Sequence, residues 1–311
     1  VNQPASASSE RRSLADAPIR VVSHRASLLT RLKNLWGRRE LLVSLTASDI
    51  KIKYKNSTLG FFWSMLSPAL TLGIYFMVFG VVLKSGIPNF ALYLFSGLVV
   101  WNLFQTSVNT ATGVIVDRAG LVKKVSFPRE ILALSNVGAG VVYFCSQMLV
   151  LTVVLLAMRH QPAWGFMWLL PLSFVSLYLI TASVAVLMSG ITVYMRDMKH
   201  LMEVALMLWF WLTPVVYSYS NSMAAQLKSH GLLAIYFFNP ITWIVLTFQR
   251  IFYVTQVAVS PKTTTMIHVL PNWPLSTYVE MNVALLGFSI ILFFVAESLF
   301  GRLEVNFESE L

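Results

Sequence analysis

Thirteen Asp and Glu residues, five histidines and one cysteine are the side chains of this 311-residue chain that could transfer protons, ligate a metal or attack a substrate. The histidines, at 24, 160, 200, 230 and 268, are scattered and match no metal-ligand spacing. Cys145 sits inside an apolar run and reads as a small buried hydrophobe; alone, it makes no intrachain disulfide. A phosphate cradle of the G-x-x-x-x-G-K-[ST] type needs a Gly-Lys pair, and the sequence has none. The expectation is a chain without catalytic residues, metal or bound cofactor. What it does offer is binding chemistry. Trp209, Phe210, Trp211, Tyr217 and Tyr219 fall in one run, and Phe61, Phe62 and Trp63 open another. Aromatic faces stack on the C–H faces of sugars, but Trp and Tyr at membrane interfaces also form belts. Trp63, Tyr217 and Tyr219 fit a belt, whereas Trp209–Trp211 lie deeper in their run, and both readings stand on composition alone.

These rings must be carried by membrane helices. Hydrophobic residues make up 57% of the chain and charged residues only 12%, with a mean hydropathy of +0.69; a soluble domain carries about 25% charge. Uninterrupted apolar runs reach the ~20 residues needed to cross ~30 Å of hydrocarbon. They predict an all-α integral membrane protein with six spans, at about 59–83, 91–113, 131–157, 168–192, 201–219 and 281–300. Pro68, Pro171 and Pro214 fall within or at the edges of these runs, which neighbouring helices can accommodate. The apolar content of 221–255 is divided by Asn239-Pro240 into pieces too short to span. Two short re-entrant helices on the outer side are expected there, the alternative being one span at 232–254.

The formal charge of +10 would suit nucleic acid, but the basic residues flank the apolar runs, so topology explains them and no nucleic-acid partner is expected. With the N-terminus inside, 18 of the 23 Lys and Arg residues fall on the cytosolic side. This places a multi-pass chain in a bacterial inner (plasma) membrane with both termini cytoplasmic. Residues 1–27, polar and basic, read as a disordered cytosolic tail rather than a cleavable signal peptide. Residues 28–58 read as a basic amphipathic helix lying in the membrane interface, or packed on a partner. Leu28, Leu32, Leu35 and Trp36, then Leu41, Leu45 and Ile52, form its apolar face. Residues 59–300 form the transmembrane domain and 301–311 a cytosolic tail. Two cytosolic segments, Asp117–Arg129 and Tyr194–Asp197, read either as contact surfaces or as positive-inside anchors.

Function classes narrow accordingly. An ion-driven transporter places ionisable groups mid-membrane, whereas Glu203 and Glu297 fall near cytoplasmic helix ends. A lipid-sugar glycosyltransferase would want outer-loop carboxylates, and Glu280 is the only acid expected there. Energy would therefore come from another polypeptide.

Several segments, in order and at the expected spacing, carry a resemblance: YKNSTLGFFWSMLSP (54–68), KKVSFPREIL (123–132), YMRDMKHLMEVALMLWFWLTPVVYS (194–218), FNPIT (238–242) and FGRLEVNFESEL (300–311). From about residue 35 onward the chain resembles the membrane subunits of type-2 ABC polysaccharide exporters. The resemblance implies a homodimer bound to two copies of a separate nucleotide-binding ATPase, which would hold the ATP and magnesium. The substrate would be a polyprenyl-diphosphate-linked polysaccharide, moved outward. It implies a cytosolic entrance at Tyr54, Ser57, Leu59 and Gly60, with Trp63 beside it. Phe61, Phe62, Trp63, Trp209, Phe210, Trp211 and Tyr217 would line the channel. Lys123, Lys124, Phe127, Pro128 and Arg129 would form the gate and ATPase-coupling loop, with Arg196 and Asp197 holding the inner end of the fifth span. A type-2 ABC permease for a drug or lipid would share the fold and partner. The tail before residue 28 departs from the pattern.

Overall fold

A computed structural model describes residues 28–82, 87–125, 127–218, 237–254, 257–259 and 266–311. The tail at 1–27 and the stretch 219–236, which includes Tyr219 and the first half of the expected re-entrant segment, lie outside the described residues.

The basic amphipathic segment forms two helices rather than one, α1 (Leu28–Gly37) and α2 (Arg39–Lys53). The break is Arg38, whose φ of −109° and ψ of 24° leave the helical region just after Gly37. Leu35, Leu41 and Leu45 pack against the core as their spacing predicts, but Trp36 is exposed.

Among the described residues, five helices are long and apolar enough to cross a membrane: Gly60–Val82, Phe90–Thr112, Glu130–Ala157, Leu169–Tyr194 and Leu275–Asn306. The first is composite: a 3-10 turn at Gly60–Phe62, α3 (Trp63–Tyr75), then a π-helical stretch at Phe76–Val82. The second is α4 (Phe90–Thr112). Two short helices, α5 (Val114–Asp117) and α6 (Ala119–Lys124), lead to α7 (Glu130–Ala157) and α8 (Leu169–Tyr194). The chain ends in α11 (Leu275–Leu303), a 3-10 turn at Glu304–Asn306 and α12 (Phe307–Glu310). The first four spans match their apolar runs to within two residues, while the last extends six residues beyond the expected 281–300 at each end.

The expected fifth span at 201–219 departs from the prediction. Its helix, α9 (Met198–Leu212), has 15 residues, or about 22 Å at ~1.5 Å per residue. Thr213 then turns extended, at φ −106° and ψ 135°, as expected of a residue that precedes proline. Residues 213–216 and 218 are buried, and Pro214 lends its carbonyl to the Gln249 amide (2.9 Å) and the Tyr93 hydroxyl (3.3 Å). Tertiary hydrogen bonds thus replace the helical ones.

Asn239 caps α10 (Pro240–Phe252), its side chain accepting from the Ile241 N–H at 3.0 Å. With 13 residues this helix is about 20 Å long, too short for the single span at 232–254, and ten of its residues are buried between α4, α8 and α11. A small antiparallel pair, β1 (Val257–Val259) and β2 (Met266–His268), comes between α10 and α11 in the chain, and the described architecture is otherwise helical, as expected.

The core centres on α4, which is enclosed by α7, α8, α9 and α10. Backbones approach closely at small residues, as membrane packing requires in place of a hydrophobic drive. A Cβ on Gly190 would stand 2.9 Å from the Phe300 ring, and one on Gly97 3.4 Å from the Val215 Cα. Buried hydroxyls of Thr112, Thr181 and Thr192 return hydrogen bonds to the carbonyl four residues earlier, which satisfies them within their own helices.

Candidate functional site

The membrane helices differ widely in burial. In its most apolar stretch α4 is 78% buried, whereas none of the corresponding residues of the Gly60–Val82 helix is. Leu70, Ile74, Met77 and Val81 make an exposed apolar stripe along that helix, and Leu201, Val204, Leu208 and Trp211 make a second along α9. Both have helical spacing. Behind them runs a ladder of rings. Phe104 meets Trp209 edge-on (5.0 Å), and Trp101 tilts against Phe210 (5.5 Å). Phe210 stacks on Tyr75, Tyr75 contacts Phe79, Phe79 contacts Phe90, and Phe90 stacks on Tyr93. Sequence reasoning missed Tyr75, Phe79, Trp101 and Phe104. The i, i+4 spacing of Tyr75 and Phe79 was the available signal.

The predicted liners divide. Trp209 is half-buried and donates its indole N–H to Asn239 Oδ1 (2.9 Å), so it supports α10. Phe210 fills the joint between α9 and the first membrane helix. Trp211, half exposed, presents its ring outward. Tyr217 ties down the end of the fifth segment: its hydroxyl donates to the Trp211 carbonyl (3.0 Å), and its own carbonyl accepts from Tyr93 (2.7 Å). Phe61, Phe62 and Trp63 are exposed at the opposite end of the surface. No ring contact joins them to Trp209–Trp211 among the described residues.

The motif at 54–68 makes a tight re-entry from interface helix to span. Asn56 (φ 61°) and Gly60 (φ 49°) take left-handed conformations, and the Ser57 hydroxyl accepts the Gly60 N–H at 3.2 Å. The Tyr54 ring meets Phe61 and Tyr143 edge-on at 5.9 and 6.1 Å, and burial pushes its phenol above the ordinary tyrosine range. Leu59 stays exposed. Tyr54, Ser57, Leu59 and Gly60 therefore do form one structural unit.

At the same end the loop before α7 is clamped by buried charges. Arg31 of α1 reaches Glu304 (2.8 Å) and Glu130 (3.3 Å), donates towards the Glu297 carbonyl (3.4 Å) and lies over the Phe300 ring. Arg129 reaches Glu304 (3.9 Å), donates to its carbonyl (3.0 Å) and covers Phe307. A second clamp joins Asp49 of α2 to Arg118 and to the Ser135 hydroxyl (3.0 Å). Phe127 is buried, and with Pro128 it borders a cleft of about 520 Å³ against Lys33, Asn34, Gly37 and Arg38 of the interface helices. Lys123 and Lys124 are exposed at the end of α6. Arg196 and Asp197 are also exposed, and the tie at the start of α9 is instead Lys199 to Asp117 (3.6 Å). Arg31, Glu130 and Glu304 were not singled out from the sequence, because their partners lie on elements far apart in the chain.

The family model of the ABC-2 type transporter matches residues 40–253, which run from the second interface helix through α10. This chain belongs to the ABC-2 transporter family. It is 31% identical over 280 residues to the O-antigen export system permease protein RfbA of Myxococcus xanthus, covering 90% of this chain and 98% of that one. It is 30% identical to a Klebsiella pneumoniae protein of the same name over 219 residues, which are 70% of this chain and 82% of the relative. A second Klebsiella pneumoniae permease so named is 28% identical over a similar span. The chain is thus a multi-pass membrane transporter, and the second interface helix, the 54–68 turn and the FPRE loop lie within the family match.

Proposed function

We propose that this chain is the permease subunit of an ATP-driven exporter that moves a polyprenyl-diphosphate-linked polysaccharide from the cytoplasm to the outer side of the inner membrane. The observation that carries the reading is the pair of exposed apolar stripes on the Gly60–Val82 helix and α9, one of them ending in Trp211, in front of the aromatic ladder that joins these two helices to α4. Two copies joined through these faces would enclose a conduit whose walls are apolar and aromatic, which suits a chain of sugars with C–H faces to stack. The names of the relatives support a glycan rather than a drug as cargo.

In this reading α9 and the irregular segment 213–218 together make a sixth crossing. Lys199 pairs with Asp117 at the charged end, while Tyr217 meets Tyr93 near the start of α4 at the other. Residues 237–252 belong to the re-entrant element, so both termini face the cytoplasm. The cleft between the interface helices and Phe127-Pro128 receives one of two copies of a separate ATPase, which holds ATP and magnesium.

The test has two parts. Affinity purification in mild detergent should recover a stoichiometric nucleotide-binding subunit, and a chain that purifies alone after cross-linking would overturn the partnership. Trp211→Ala should lower surface glycan several-fold at normal membrane abundance. Unchanged glycan would remove the ring from the conduit.

A further inference from the structure

A cavity of about 390 Å³ opens in the angle between α2, α4 and α7, lined by Lys53, Thr106, Thr110, Arg118, Asn136 and Tyr143 among others. That volume is within the ~300–1,000 Å³ usual for small-ligand sites. Its polar groups lie near the membrane surface. Thr110 and Thr106 are two and six residues before the end of α4 at Thr112, and Asn136 is six after the start of α7 at Glu130, all within about 9 Å of the helix ends at ~1.5 Å per residue. The amphipathic helix α2 lies across the opening, so the cavity is at headgroup depth in the cytosolic leaflet.

Its charges do not cancel. Arg118 is paired with Asp49, which also accepts from Ser135. Lys53 has no carboxylate partner among the described residues. Its ammonium lies 4.2 Å from the Tyr143 ring centroid, and burial holds it below the ordinary lysine range. Beside the cavity, where Gly140 lets α4 and α7 touch, the buried Ser107 hydroxyl finds no hydrogen-bond partner. The lining therefore carries one net positive charge, two threonine hydroxyls, an asparagine amide and an aromatic face.

We propose that this cavity binds the phosphodiester headgroup of an anionic membrane phospholipid such as phosphatidylglycerol, with Lys53 as its cation. A single uncompensated charge matches one phosphodiester better than a diphosphate, and the exposed side chains of Ile52 and Val142 offer apolar surface nearby for an acyl chain. Ser57, Leu59 and Gly60 of the re-entry turn do not line the cavity, but Tyr54 touches its Lys53 and Tyr143, so the site adjoins the entrance and the test must tell a phospholipid from a diphosphate.

The experiment is native mass spectrometry of the full chain, with its ATPase where the two co-purify, released from vesicles of phosphatidylcholine containing phosphatidylglycerol. The expected result is one phosphatidylglycerol retained per chain. Lys53→Ala should lower that retention about tenfold, the loss of one charge-assisted hydrogen bond, while Lys53→Arg keeps it. Lys51→Ala, on the same helix but outside the cavity, should leave it unchanged. Equal loss in Lys51→Ala and Lys53→Ala would mean diffuse attraction to anionic lipid and overturn the site. So would displacement by inorganic phosphate, or by pyrophosphate in preference to lipid, which would identify a soluble anion or a diphosphate as the ligand. Unfolding midpoints of the variants in phosphatidylcholine alone separate lost binding from lost folding.

Discussion

Replacing Arg31 with methionine keeps the stem that packs along Phe300 and removes only the guanidinium. In the native chain that group serves Glu130, whose side chain is 2% exposed, and Glu304, at 25%. Both carboxylates stay behind in the variant, next to Glu297, whose oxygens are buried without hydrogen-bond partners among the described residues. Removing one partner of a buried pair costs about 3–5 kcal/mol, because the remaining charge is uncompensated. At ~2–4 °C per kcal/mol, the unfolding midpoint in a fixed lipid nanodisc should fall by about 10 °C. Hydrogen exchange should rise first in α1, the element the clamp holds. Lys199→Ala is the matched control: its pair with Asp117 is 46% and 61% exposed, so about 0–1 kcal/mol is expected. Arg31→Met with Glu304→Gln should lose less than the sum of the single changes, since one interaction is removed twice. A midpoint within a degree of wild type, with α1 exchange unchanged, would refute the clamp.

Asn239→Ala removes a helix cap and leaves the Trp209 indole and the Thr213 hydroxyl without their shared partner. A loss of about 2–3 kcal/mol is expected, read as a lower unfolding midpoint and faster exchange in α10; a neutral result would mean that α10 is held by apolar packing alone. Gly97→Val would press on the Gln249 amide and the Val215 backbone and should cost about 1–3 kcal/mol by overpacking. Gly165→Val, with open space around it, should be close to neutral in the same assay.

The membrane helices were legible because the solvent dictates them: any helix crossing hydrocarbon must present some twenty apolar residues, and five such runs became helices, four of them nearly end for end. The clamps were not. Arg31 and Glu304 are 273 positions apart, and nothing local marks either as paired. Composition also made Trp209 and Trp211 equivalent, since both offer a ring. Only the fold separates a ring whose N–H supports a neighbouring helix from one whose face is open.

Two prolines show where the limit lies. Pro68 and Pro214 both occur in apolar runs, and both deprive a helix of an N–H. Pro68 remains inside α3, while α9 ends two residues before Pro214. The difference lies in what surrounds the freed backbone. Pro68 is on an open helix with little around it to replace helical bonds. Pro214 is enclosed by Gln249 of α10 and Tyr93 of α4, which hold its carbonyl, while the absence of a side chain at Gly97 lets the turn at Pro214-Val215 lie against α4. The helix stops where a neighbour can take over its hydrogen bonds. That is a property of the assembled bundle, and it is why the fifth segment was read as a plain span and folded as a helix followed by an irregular, buried turn.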